Sequence, residues 1–197
     1  MQKKWLIGVD EAGRGPLAGP VAVGVVKAPV DFDWAALPGV DDSKKLSPEK
    51  RAAIYKEACT LRHHGHLDWA VSQVGSSVID HTGITSAIKE AMRRAIERLD
   101  LSPAEVSFRL DGSLVAPLQF AQATIIKGDS LWPEISLASI VAKVTRDRYM
   151  ERIARRYTQY GFADHKGYGT KQHRAAIATY GKCPIHRVSY CKNIPVL

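Results

Sequence analysis

The chain has 197 residues, 45% of them hydrophobic, which is enough to bury one core and argues for a single domain over residues 1–197. Its formal net charge of +8 and pI of about 9.5 favour an anionic partner, of which nucleic acid is the commonest. Three cysteines without paired ligand spacing exclude a disulfide framework, and the short lead Met1-Gln2-Lys3-Lys4-Trp5 leaves no room for a signal peptide, so a cytoplasmic protein without a membrane span is expected.

The first strand is expected at 5–10, mostly apolar and buried on both faces. It runs into Asp10-Glu11 and then the turn Gly13-Arg14-Gly15-Pro16. A valine-rich second strand follows at 19–27, and the tight connection predicts antiparallel pairing. After a loop, Ser47 is a suitable N-cap, Pro48 a good first helical residue and Glu49 a favourable first-turn acid, for a helix reaching about residue 62. A third strand is expected at 66–74. Ile84, Ala87, Ile88, Ala91, Met92, Ala95, Ile96 and Leu99 recur at helical spacing, opposite a charged face. Strands at 106–112 and 121–127 lead to Asp111-Gly112 and Gly128-Asp129. Pro133-Glu134 opens a long helix with a buried stripe from Leu137 to Tyr157. A basic, loop-rich tail holds a short helix near 171–180. Strands interleaved with helices in this order predict an α/β fold with a mixed sheet.

Asp10-Glu11, Asp111 and Asp129 each follow an expected strand. If strands one, four and five are neighbours, the four carboxylates meet at one end of the sheet. Four acids gathered in a basic protein repel one another unless a divalent cation relieves them. Oxygen donors without histidine or cysteine select Mg²⁺ or Mn²⁺ over zinc. Two such ions suit phosphodiester hydrolysis, by activating water and stabilising the leaving oxygen. Any one acid alone reads as a solvated loop end; the set of four does not.

The motifs together resemble the ribonuclease HII family. The resemblance is carried by residues 8–21 (Gly8-Val9-Asp10-Glu11-Ala12-Gly13-Arg14-Gly15-Pro16 onward), Asp42-Ser43-Lys44-Lys45-Leu46, Leu110-Asp111-Gly112, Lys127-Gly128-Asp129-Ser130, the helix from Pro133-Glu134-Ile135-Ser136 to Arg146-Asp147, and Tyr160-Gly161-Phe162 through His165-Lys166-Gly167-Tyr168. These segments span nearly the whole chain in the family's order. The resemblance implies a ribonuclease H-like fold, a five-stranded mixed sheet flanked by helices over about 1–160, and a C-terminal helical segment that contacts substrate over about 161–197. It implies cleavage of the RNA strand of RNA–DNA hybrids, and cleavage at single ribonucleotides in duplex DNA, with 5′-phosphate and 3′-hydroxyl ends. Asp10, Glu11, Asp111 and Asp129 would be the catalytic carboxylates and metal ligands. Gly13, Arg14 and Gly15 would read the ribonucleotide 2′-hydroxyl and its phosphate. Tyr168 would stack on the deoxyribose just 3′ of it. Lys44, Lys45, His165 and Lys166 would touch phosphates. The partners implied are RNA–DNA hybrid and ribonucleotide-containing duplex DNA, with the protein acting as a monomer.

Other candidates carry less. Asp147 sits mid-helix, where a salt bridge explains it better than catalysis. His63, His64 and His66 straddle an expected helix end, and zinc would need four fixed ligands. Thr82-Gly83-Ile84 stands where relatives carry an asparagine, so one contact to the DNA strand is expected to be missing. Leu137 in place of a common alanine reads as a packing change. The tail shows no clear sliding-clamp peptide, which leaves a clamp partnership unsupported. The rival functional readings are a catalytically silent hybrid-binding module and a nuclease limited to long RNA tracts.

Overall fold

The computed structural model describes residues 3–41 and 43–195; Asp42 of the motif at 42–46 and the last two residues lie outside that description. Five strands form one mixed sheet: β1 (Trp5–Ala12), β2 (Val21–Pro29), β3 (Asp68–Val74), β4 (Val106–Asp111) and β5 (Ala121–Ile125). Their spatial order is β3-β2-β1-β4-β5, with β1 antiparallel to β2 and parallel to β4. The expected neighbour relation of strands one, four and five therefore holds. The main helices are α1 (Pro48–His63), α2 (Ser76–Thr82), α3 (Ile84–Arg98), α4 (Pro133–Ala154), α5 (Phe162–His165) and α6 (Lys171–Tyr180). Helix α2 is not among the elements expected from the sequence. Among the described residues no helix is long and apolar enough to cross a membrane.

Each face of the sheet is covered because strand side chains alternate. Ile7 and Val9 of β1, with Phe108 and Leu110 of β4, pack on the α3 side against Ala87, Ala91, Met92 and Ala95. On the other face Leu137, Ile140 and Val141 of α4 pack with Val26, Ile54 of α1 and Trp69. Helix α4 lies unusually close to the sheet. A Cβ built on Gly8 would sit 2.2 Å from the Glu134 carbonyl, and one on Gly24 would sit 2.4 Å from the Ala138 oxygen. Glycines in the two central strands thus remove the atoms that would hold the helix away.

A third cluster, Met150, Tyr160, Phe162, Ile177 and Cys191, fixes the C-terminal segment to the far half of α4. That explains why the α4 stripe expected from sequence was too narrow. Sheet and C-terminal segment cover the helix from two sides, so even Arg146 is buried. The helix ends at Ala154, short of Tyr157.

Candidate active site

The alternation that builds the core also sets the acids. If Val9 and Leu110 face α3, then Asp10 and Asp111 face α4. The parallel register, whose last pair is Val9 with Leu110, puts these two aspartates side by side on adjacent strands. Both lie within their strands, as the expected limits of 5–10 and 106–112 placed them, although β1 continues to Ala12 and β4 ends on Asp111 itself. The third acid arrives by a turn. The Asp111 Oδ1 accepts the Gly128 N–H at 2.7 Å and draws in the short 3-10 turn Gly128–Ser130, which carries Asp129. Ser136 of α4 donates to the Asp129 carbonyl at 2.8 Å and holds the turn against the helix. One carboxylate oxygen each from Asp10, Asp111 and Asp129 lie within 4.8 Å of one another.

Asp10 is the electrostatic centre of this group. It is 3% exposed. Its Oδ1 accepts the Glu11 N–H at 2.7 Å, while its Oδ2 is buried without a hydrogen-bond partner among the described residues. Burial raises its carboxyl well above the ordinary range, and the charges of Glu11 and Asp111 raise it further. The Glu11 N–H and the Ser139 hydroxyl, itself paired with Ser43, oppose that shift without cancelling it. A buried carboxylate with an orphaned oxygen and two acids beside it fits a hard divalent cation and fits little else. Lys44 Nζ also reaches Asp129 Oδ2 at 3.2 Å from a largely exposed position.

Glu11, the fourth expected carboxylate, is not gathered with the other three. Its Oε1 accepts from Arg14 Nε at 2.9 Å. The Gly13-Arg14-Gly15 loop begins there. Gly13 is buried at φ +91°, and a Cβ on it would strike the Arg146 side chain, so only glycine fits. Arg14 and Gly15 are exposed, and a Cβ at Gly15 would meet nothing within 4 Å. The loop therefore offers main chain to an open side while its inner side is anchored.

Two fully buried arginines supply the anchor. Arg187 donates to the carbonyls of Gly19 (3.0 Å), Arg14 (2.8 Å) and Gly13 (2.6 Å). Arg146 donates to Pro20 (2.9 Å), Lys166 (3.0 Å) and Ala18 (3.2 Å). Desolvation lowers both guanidinium pKa values, Arg187 to about 10, which still leaves Arg187 charged at neutral pH. Sequence reasoning missed both roles. The available signal was an arginine at 187 in a stretch whose own neighbours include no acid to pair with it.

Of the remaining expected contacts, Tyr168, His165 and Lys166 border one groove. Tyr168 is 44% exposed, with Lys143 Nζ and the Arg146 guanidinium each 5.9 Å from its ring. It borders a groove of about 580 Å³ between α1, α4 and the C-terminal segment, lined also by Arg51, Lys143, Arg148 and Lys166. Lys45 pairs with Asp41 at 3.2 Å, and Lys166 with Glu151 at 2.9 Å. Lys143 pairs with Asp147 at 2.8 Å, so Asp147 sits in a salt bridge, as its mid-helix place implied. His165 faces inward. Its Nε2 meets the Tyr160 carbonyl at 2.7 Å and its Nδ1 accepts the Gly167 N–H, so in this arrangement it has no free nitrogen for a phosphate.

A mixed sheet in this order, with acids at the ends of its central parallel pair and on the turn entering the next helix, defines a nuclease of the ribonuclease H-like class. Two solved structures share the fold. The ribonuclease HII of Archaeoglobus fulgidus, solved in a complex with PCNA, superposes with a TM-score of 0.75 at 26% identity, covering 95% of this chain and 94% of that one. The ribonuclease H2 of Pyrococcus horikoshii OT3 gives 0.72 at 26% identity, over 96% of each chain. Within the class, the ribonuclease HII family model matches residues 7–193, and the chain belongs to that family. The ribonuclease HII of Geobacter sulfurreducens is 48% identical over 185 residues, 94% of this chain and 81% of that protein. The protein is thus an enzyme, a type 2 ribonuclease H and a metal-dependent endonuclease.

Proposed function

We propose that the enzyme hydrolyses the RNA strand of RNA–DNA hybrids and cuts 5′ of single ribonucleotides embedded in duplex DNA, leaving 3′-hydroxyl and 5′-phosphate ends. The observation that carries this reading is the acid trio set beside an anchored loop whose outer main chain is open. Asp10, Asp111 and Asp129, with Glu11 as the fourth carboxylate, would hold Mg²⁺ or Mn²⁺. Two bound ions would supply an activated water and stabilise charge on the leaving oxygen.

The chain's own residues do the rest. Gly13 sets the turn on the anchored side, and Gly15 presents main-chain groups that no side chain obstructs, as recognition of a 2′-hydroxyl requires. Arg14 is a flexible cation beside that point, and its bond to Glu11 keeps it near until a phosphate competes for it. Tyr168 offers an exposed ring for the deoxyribose 3′ of the ribonucleotide. Lys44 and Lys45 hold backbone phosphates and fix register without reading sequence.

The test uses duplex DNA carrying one ribonucleotide and, separately, a long RNA–DNA hybrid, each with Mg²⁺ or Mn²⁺. Cleavage of both, with the first cut on the 5′ side of the ribonucleotide, is expected. Folded protein that cuts neither substrate with either ion overturns the proposal, and one that cuts only the long hybrid removes its ribonucleotide-sensing half.

A further inference from the structure

The C-terminal segment contains three histidines that metal chemistry does not use, and their hydrogen bonds fix every proton. The Cys183 N–H lies 2.9 Å from His186 Nδ1, and the Cys183 carbonyl lies 3.3 Å from the same nitrogen, so the His186 proton is placed by its partner on the other side of the ring. His186 Nε2 is 3.0 Å from His173 Nε2. His173 Nδ1 is 2.9 Å from the Tyr168 carbonyl, which only accepts, so Nδ1 carries the His173 proton and its Nε2 receives the one from His186. The result is one directed chain from the Cys183 amide through His186 and His173 to the main chain of Tyr168. His165 stacks on His173 with ring centres 4.4 Å apart.

The chain starts from a point tied to the substrate loop. His186 precedes Arg187, which holds Gly13 and Arg14, and residue 186 bridges to Ala18 across a short antiparallel contact. Leu17 N–H in turn bonds the Gly167 carbonyl at 2.9 Å, next to Tyr168. Tyr168 is therefore tied to the loop as well as to α4.

We infer that His173 and His186 are positioning residues: their hydrogen-bonded pair sets the distance from Tyr168 to the Gly13-Arg14-Gly15 loop, and so sets selectivity for the RNA-to-DNA junction. This rests on the reading of Tyr168 as the junction-sensing side chain. Both histidines are buried and neutral, with pKa values lowered to about 4, first by burial. A proton added to His173 Nε2 would face the His186 N–H and break the chain.

The measurement is the ratio of cleavage at a single ribonucleotide to cleavage of a long hybrid. His173→Ala should lower that ratio about tenfold while the long hybrid is cut within about threefold of the parent rate, the size expected when a contact group is misplaced by a fraction of its length. His173→Asn keeps an amide donor near the Tyr168 carbonyl and should recover most of the ratio. In a Tyr168→Ala background His173→Ala should add nothing, because both act through one ring. Equal loss on both substrates, or a further loss in that background, overturns the inference while leaving the junction reading intact. An unchanged ratio in Tyr168→Ala alone sinks the junction reading and this inference with it. If His173→Ala does not fold, His186→Gln against His186→Leu makes the same comparison, since only glutamine can donate to His173.

Discussion

Asp10 shows at the scale of one residue how function and stability oppose each other. Its pKa is raised by folding, so the folded state binds a proton more tightly than the unfolded chain does. In its ionised form it therefore costs stability, and that cost is relieved as pH falls through the raised value. Asp10→Asn should abolish cleavage and still raise metal-free stability, because it removes the buried charge that folding disfavours. Denaturant titration at pH 7 in chelator measures this, and an Asn variant less stable than the parent would contradict it. Divalent ion should stabilise the parent by binding only the folded site, and this gain should shrink in Asp10→Asn. The carboxylates were legible in the sequence because acids at strand ends are rare and these recur. The separation of Glu11 from the other three was not. It depends on β1 running two residues further than expected, which puts consecutive side chains on opposite faces.

Among the elements, α4 matters most for the site, since it presses on the sheet and carries Ser136 and Ser139 beneath the acids. Gly8→Ala should lift it. The added Cβ would meet main chain, which cannot swing aside, and overpacking of this kind costs about 1–3 kcal/mol. Cleavage should fall more than stability alone explains, because the Asp129 turn is tied to the helix through Ser136. Unfolding curves beside rates at full folding would separate the two losses; a variant with parental activity would show that the close approach is not needed. The sequence revealed α3 well, with expected limits of 84–99 against Ile84–Arg98, because its apolar residues keep one strict period. Helix α2, at seven residues, is too short to show a period. Its structural role appears only in three dimensions: Asp80 accepts the Val188 N–H at 2.7 Å and the Ser189 N–H at 3.0 Å, which ties the tail to the sheet side of the molecule.

For the whole molecule, the buried histidines give an acid sensitivity of definite sign. Both pKa values fall on folding, so their stabilising contribution is complete above the unfolded value of 6.5 and is lost as pH drops toward about 4. Melting temperature should decline across that window, and the decline should be shallower in a His173→Asn, His186→Gln double variant; parallel curves for the two proteins would refute it. Composition announced the basic surface, and motif order the fold. The joining of the two ends of the chain could not be read, because a buried arginine looks like any other cation until its carbonyl partners are known. That joining also orders events in time. Arg187 reaches Gly13 across 174 positions. A nascent chain leaving the ribosome can pair β1 with β4 and assemble its acids well before residue 187 emerges. Its Gly13–Gly15 loop lacks the Arg187 hydrogen bonds until then and rests on Arg146 alone.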